Sequence, residues 1–348
     1  MKIAVAMSGG VDSSLAAALL VEQGHEVVGL FMRLVGEAWR GSLAPSEPID
    51  AQRVAGVLGI PLEVLDSGSE LEALVSYFCS EYDAGRTPNP CVLCNKWIKF
   101  GRLLAHARAS DADRFATGHY ARITAARGRC LLRRGRDSAK EQSYMLFGLS
   151  QAQLARSLFP LGGYRKKEVR RMARERPLPV HQRAESQDIC FVPDCGHTAL
   201  LRERLGERIQ PGPILDTEGR VVGQHLGCQY FTIGQRRGLG VALGTPRYVV
   251  RIDREANAVV IGTRAELLRD TMLVSQVNWI AFEQPPEAIE AGVQIRYNHR
   301  PVPALIQRNA DGGARVTFRA PEAAVTPGQA AVFYDGDVVL GGGWIEPG

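Results

Sequence analysis

Several things are missing from this chain of 348 residues, and each absence removes a class of protein. No apolar run reaches the ~18 residues that a membrane-spanning helix requires. No GxxxxGKS or GxxxxGKT stretch occurs, which excludes a phosphate loop of the kinase or GTPase kind. The first residues enter a strand at once, without a charged leader or a cleavage site, so a cytoplasmic protein with no membrane partner is expected. Neither sign of charge dominates: 42 Lys and Arg face 37 Asp and Glu, a formal net charge of +5. Internal repeats, low-complexity tracts and heptads are absent too. The seven cysteines are an odd number, which argues for free or catalytic thiols rather than a disulfide framework.

What is present starts at the N-terminus. The apolar run Ile3 to Met7 leads into Ser8-Gly9-Gly10-Val11-Asp12-Ser13-Ser14, and an Ala- and Leu-rich segment follows from Leu15 to Val21. This predicts a strand, a glycine turn and a helix N-terminus. Unpaired backbone N–H groups there point one way, beside the positive end of a helix dipole, and an oxyanion fits. The glycines allow close approach of the backbone, and Ser8, Ser13 and Ser14 offer hydroxyl donors. Asp12 would repel a bare phosphate, so its expected role is as a ligand for a Mg²⁺ that accompanies the phosphates.

The first half alternates short apolar runs with helical patterns, as in a parallel α/β sheet. Strands are expected over Glu26 to Met32 and Ile60 to Leu65, and a strand entering a site loop over Phe115 to Tyr120. Helices are expected over Ile49 to Leu58, Leu71 to Tyr82 and Trp97 to Ala109. Ligands gather at the carboxyl ends of such strands, which would put Gly9, Met32 and Gly118 on one rim. A looser stretch carries Gly36, Gly41 and Pro45, and Ala184 to Cys195 reads as a loop. From Gly206 short β-like runs such as Gln229 to Thr232 and Tyr248 to Ile252 are split by glycines. The segment from about Asp270 onward suggests a small barrel or sandwich. Basic residues crowd into Arg127 to Lys140 and Arg165 to Arg176, with Arg236-Arg237 further on; such stripes suit a polyanion such as RNA or, equally, a solvated helix face.

Two thiol sites stand out. Asn89-Pro90-Cys91-Val92-Leu93-Cys94 is a proline-bounded turn leading to the Trp97 helix, with Lys96 and Lys99 nearby. A helix dipole and ammonium groups would favour a thiolate, making Cys94 a candidate nucleophile. The pair Cys91 and Cys94 could equally be half of a zinc site, although no second C-x-x-C or H-x₃₋₅-H follows, or a redox pair. The second site is Cys190, alone on a loop with apolar flanks. Cys79, Cys130, Cys195 and Cys228 read as packing residues.

Taken in order, the glycine turn, Ala84 to Asn95 (AGRTPNP-x-x-x-CN), Ala116 to Tyr120, Lys140 to Tyr144, Ile189-Cys190-Phe191, Gly234 to Gly240 and Thr326 to Tyr334 resemble the tRNA-specific 2-thiouridylases. These blocks run from residue 3 to about residue 345. The resemblance implies a PP-loop ATP pyrophosphatase domain over residues 1–200, a small central domain over 201–268 and a C-terminal β-barrel contacting tRNA over 269–348. It implies ATP held by Ala6, Met7, Ser8, Gly9, Gly10, Val11, Asp12 and Ser13 and by the backbone of Met32 and Gly118. Cys94 would be the nucleophile and Cys190 the persulfide carrier, the two forming a transient disulfide. Asn89, Pro90 and Cys91 would face the target base, while His119, Lys140, Glu141, Gln142, Arg296, Tyr297 and Gln329 would contact tRNA. A sulfur donor protein, a cysteine desulfurase or a relay protein, is implied as partner.

The implied reaction is ATP-dependent 2-thiolation of the wobble uridine. Adenylation turns the uridine 2-oxygen into a good leaving group, and a persulfide sulfur replaces it. Trp97 or Tyr120 could stack on an extruded base. Cys91 stands where the family often has aspartate. With Cys94 and Cys190 it could instead hold an iron–sulfur cluster of the 4Fe–4S kind. Another ATP pyrophosphatase, an amide ligase or a tRNA lysidine synthetase, would use the same loop without sulfur. A non-catalytic RNA-binding protein would need neither thiol loop.

Overall fold

The computed structural model describes residues 1–348 apart from 35–47, 127, 177, 184–188, 193–195 and 242. The expected loose stretch with Gly36, Gly41 and Pro45, most of the expected loop over Ala184 to Cys195, and Cys195 itself lie outside the described residues.

In the first region, β1 (Lys2–Ala6), β2 (Glu26–Arg33), β3 (Leu62–Asp66) and β4 (Arg114–Ala116) form a parallel sheet. Their order in space is β3-β2-β1-β4, with Ile3 opposite Val27 and Arg114. The helices α1 (Val11–Glu22), α2 (Ile49–Leu58) and α3 (Gly68–Asp83) link these strands. Residues of α1 are apolar or small nearly all round, because it is covered on every side. Beyond the cysteines, α4 (Pro90–Leu93) runs into a π-helical stretch over Cys94–Leu103 and then α5 (Leu104–Ala109). The helix therefore starts at Pro90, seven residues earlier than Trp97.

Next comes the hairpin of β5 (Ala121–Ala126) and β6 (Arg129–Arg134), followed by α6 (Gln151–Arg156). β7 (Ser157–Leu158) then adds to the edge of the parallel sheet beside β4. After it, α7 (Lys166–Glu175) packs its buried Val169 and Ala173 into the cluster that holds Leu15 and Leu19 of α1. α8 (His197–Leu205) leads to the central unit, where β8 (Gly212–Leu215), β9 (Val221–His225), β10 (Tyr248–Asp253) and β11 (Ala258–Gly262) form one sheet. Gln229 to Thr232 is not a strand there: Cys228–Tyr230 is a 3₁₀ turn.

The last region holds β12 (Leu268–Trp279), β13 (Ala288–Gln294), β14 (Val302–Arg308), β15 (Ala314–Ala323), β16 (Ala330–Asp335) and β17 (Val338–Ile345). They pair in the order β12-β15-β14-β13-β16-β17, and β17 returns to β12, so the sheet closes into a barrel. Closure removes the sheet edges that would otherwise invite aggregation. The β5–β6 hairpin of the first region attaches to this barrel through Val338 opposite Arg133, backed by Arg133 and Arg122 on Asp337. One core cluster runs from Ala4 and Phe115 of the parallel sheet through Tyr144 and Phe147 to Ala330, Val332 and Tyr334 of the barrel. The fold is thus an α/β sheet, a small central β unit and a closed β-barrel, with the first and last joined by a shared core.

Candidate active site

Parallel strands end together, so the residues just past β1, β2 and β4 share a rim. Past β1, Gly9 has φ +73° and Gly10 caps α1 with backbone only. A Cβ on Gly9 would lie 2.9 Å from Asp50 Cβ and 3.2 Å from the Ala51 nitrogen, so both the backbone and the space demand glycine. A Cβ on Gly118, in the loop after β4, would lie 2.8 Å from the Ser13 nitrogen. Gly118 is pressed against the start of α1. Met32, near the end of β2, packs against two of the core clusters. Ala6 to Ser13, Met32 and Gly118 therefore sit on one rim, around a helix N-terminus with no side-chain cap.

The side chains of this turn are engaged within the protein. Ser13 and Ser14 do not point at a ligand: their hydroxyls donate to the Gly10 carbonyl at 3.1 and 2.8 Å, and Ser13 Oγ also accepts from the Ser8 nitrogen at 3.1 Å. They brace the turn, leaving Ser8 as the exposed hydroxyl. Asp12 is not an open metal ligand either. Lys166 Nζ reaches both of its carboxylate oxygens at 2.7 Å, and the Tyr120 hydroxyl donates to Oδ1 at 2.7 Å. A Mg²⁺ that takes one carboxylate plus phosphate oxygens suits this donor chemically, once the ammonium moves away. Tyr120 is buried and engaged with Asp12, so it offers no stacking face; Trp97 is exposed and meets Tyr77 edge-on.

The thiol loops meet. Phe191, next to Cys190, sits edge-on to Phe78 with ring centroids 5.4 Å apart. Ile189, Val192 and Cys94 pack on the same cluster, and so does Met32 from the rim. Cys91 and Cys94 both lie close enough to Cys190 to disfavour its ionisation. The expected low-pKa thiolate at Cys94 is not found. Cys94 lies one turn inside the helix, not at its N-terminus, and burial pushes its thiol up, against the opposing pull of Lys99. Cys91 is raised for the same reason. Cys190 is solvent-exposed, yet the atoms crowded around its sulfur, with Cys94 and Cys91, push it up to about 12. Cys91, Cys94 and Cys190 are free thiols. Among the described residues no group of three His, Cys, Asp or Glu side chains is placed to hold a metal ion.

Most of the residues expected at tRNA serve the framework. Gln329 Nε2 donates to the Thr87 and Pro88 carbonyls at 3.0 and 3.1 Å, holding the loop that presents Asn89, Pro90 and Cys91. Asn89 and Pro90 are buried, and Asn89 bonds Tyr144. The Tyr297 hydroxyl donates to the Glu141 carbonyl at 3.1 Å, and Tyr297 is near enough to Cys91 to feel its charge. Glu141 is buried on Arg134 and Ser143. Gln142 Oε1 accepts from the Tyr120 nitrogen at 3.0 Å. His119 is buried between Phe100 and Phe159, bonded to Thr117 at 2.7 Å, and burial holds its pKa well below the usual value, so the ring is neutral. Arg296 is exposed and Lys140 partly so. Among the expected basic stripes, Arg133, Arg134, Arg136 and Arg176 are paired with Asp337, Glu141, Glu168 and Glu22.

Sequence reasoning missed Lys166 and Arg183, the latter donating to the Gly9 carbonyl at 3.1 Å. A signal did exist for the first. Lys166 and Lys167 open α7, where the helix dipole disfavours cations.

Three family profiles match in succession. Residues 1–194 match one described as "tRNA methyl transferase HUP domain", residues 198–263 "tRNA methyl transferase PRC-barrel domain" and residues 269–345 "Aminomethyltransferase beta-barrel domain". The HUP match covers the glycine turn and fits ATP binding. Full-length relatives share the same name. The tRNA-specific 2-thiouridylase of Carboxydothermus hydrogenoformans is 49% identical over 99% of this chain and 97% of its own. Those of Geotalea uraniireducens and Chloroflexus aggregans are also 49% identical, over 99% of this chain and 95% and 98% of theirs. No helix is long and apolar enough to cross a membrane among the described residues. The chain belongs to the tRNA-specific 2-thiouridylase family and is a tRNA uridine sulfurtransferase of tRNA modification.

Proposed function

We propose that this enzyme thiolates the 2-position of the wobble uridine in two stages, adenylation at the glycine turn and sulfur transfer at the thiol loops. The observation that carries this is the packing of Cys94 and the Cys190 loop on one cluster that also receives Met32 of the nucleotide rim. The uncapped N–H groups of α1 would bind the phosphates, and the uridine 2-oxygen would attack the α-phosphorus and expel pyrophosphate. A Mg²⁺ bound through Asp12 would offset charge on the phosphates.

Cys190 then acts as carrier. Its exposure suits loading by a sulfur donor protein, which leaves a persulfide on the thiol. The terminal sulfur bonds to the uridine carbon, and AMP departs with the former 2-oxygen. Cys94 attacks Cys190 Sγ, the sulfur–sulfur bond of the persulfide breaks, and its electron pair stays with the product thiocarbonyl. A Cys94–Cys190 disulfide results, and an external dithiol reduces it. Both thiols are raised, so Lys99, which favours the thiolate at Cys91, Cys94 and Cys190, is the local aid to ionisation. Asn89, Pro90 and Cys91 would face the base, with Arg296 and Lys140 on tRNA phosphates; such a reaction on tRNA belongs in the cytoplasm.

The deciding experiment incubates tRNA, ATP, Mg²⁺ and a sulfide source with the protein, then analyses nucleosides by mass spectrometry. Gain of 2-thiouridine matched by AMP and pyrophosphate is expected. Thiolation that proceeds without ATP would overturn adenylation. Activity that survives Cys190→Ser with a donor protein as sulfur source would overturn the carrier role.

A further inference from the structure

We infer that Lys166 is a phosphate-contacting residue of the nucleotide site, parked on Asp12 until the nucleotide arrives. The inference rests on the nucleotide reading of the glycine turn and adds a residue to it.

Lys166 stands where its own helix disfavours it. It is the first residue of α7, and with Lys167 it places two cations at the positive end of that helix dipole. Its side chain is only 12% exposed, and lysine is rarely so covered without a partner. The partner is Asp12, both of whose oxygens lie 2.7 Å from Nζ. Such placement against local preference marks function more often than stability.

The surroundings direct the ammonium at the turn. The buried face of α7 packs with α1 in one cluster, and the Lys166 nitrogen donates to Asp137 Oδ2 at 2.8 Å, which ties down the start of α7. The lysine ammonium thus lies at the first turn of α1, on Asp12. Among the described residues, Arg183, on the Gly9 carbonyl, and Asp50, which Arg183 also binds, are further charges at the turn. Alone, the Asp12 carboxylate would repel an incoming triphosphate. With Lys166 on it the turn is neutralised in advance. A phosphate oxygen competing for the same ammonium needs only rotation of a flexible four-carbon stem, since lysine acts as a mobile point charge.

The test is binding of α,β-methylene ATP, which cannot be cleaved between those phosphates, measured by calorimetry in EDTA on the full chain. Lys166→Met keeps the stem and removes the charge, and should weaken binding about ten- to hundredfold. Lys166→Arg should stay within a few fold of the parent. Asp12→Asn frees the lysine and removes the repulsion, so it should bind the analogue at least as tightly as the parent. Equal affinity of Lys166→Met and the parent would overturn the inference. So would Asp12→Asn weakened as much as Lys166→Met, because the lysine would then act only by holding Asp12 in place. Should Lys166→Met fail to fold, the Asp12→Asn and Lys166→Arg results still decide. A parent protein that does not bind the analogue would overturn the nucleotide reading itself, and this inference with it.

Discussion

The glycine turn and the thiol loops differ in how finished they are. In the turn most polar side chains have a partner: Ser13 and Ser14 on Gly10, Asp12 on Lys166 and Tyr120, Arg183 on Gly9. What remains open is backbone N–H and the exposed Ser8 hydroxyl, which need no proton transfer to act. The thiol loops hold free sulfurs that burial keeps protonated, with Lys99 as the cation that opposes it. A site for binding charge is built in advance, since preorganised dipoles cost nothing at the moment of reaction. A site for nucleophilic sulfur stays quiet until it is loaded, which protects it from stray oxidation.

The contrast can be broken most sharply at the sulfurs. Cys94→Ser and Cys190→Ser should each abolish thiolation, by about a thousandfold or more, while ATP binding changes less than twofold; nucleoside mass spectrometry beside calorimetry reads both. Loss of ATP binding in either variant would mean the two regions are not separable. At the turn, Gly9→Ala should weaken ATP binding by about ten- to hundredfold, because the left-handed backbone and the contact with Asp50 both oppose a methyl group. Alkylation of Cys190 by iodoacetamide should be unchanged in that variant.

The pH dependence sharpens the comparison further. With its thiol pushed up to about 12, Cys190 should react with iodoacetamide about tenfold faster for each pH unit from 7 to 10, with no plateau. A plateau near pH 8 would mean a thiolate is already present. Lys99→Met removes the cation that favours ionisation, so thiolate should form only at higher pH and thiolation should slow about two- to tenfold at pH 7. The smallest effect is expected at Gln329. Gln329→Ala loses two hydrogen bonds to the loop before Asn89 and should cost about 1–2 kcal/mol in a denaturant melt, with ATP binding unchanged.

Legibility in the sequence followed the range of the interactions. The strand, turn and helix around Gly9 were readable because strand pattern, glycines and helix start are adjacent in the chain. Cys94 was misjudged because the helix begins at Pro90 and continues through a π-helical stretch, which hides the sulfur a turn inside. Glu141, Gln142, Tyr297 and Gln329 read as surface contacts for tRNA, yet their polar groups hold loops together. Their partners are distant in sequence, such as Gln329 with Thr87 and Tyr297 with Glu141, or lie in other loops. The β5–β6 hairpin gave no sign of joining a barrel, for its partner β17 lies some 200 residues onward.

By itself the sequence determined the local chemistry: a phosphate-binding turn, two thiol loops, and an α/β start giving way to β-rich segments. Periodicity and glycine placement act within a few residues, and those rules need no fold. Only the tertiary structure decided which charges cancel and which sulfurs meet. Lys166 reaches Asp12, and the Cys190 loop reaches Cys94, across about 150 and 100 residues of chain, through packing of α7 on α1 and of Phe191 on Phe78. Burial and long-range pairing depend on how the whole chain closes, and no short stretch of it carries that information.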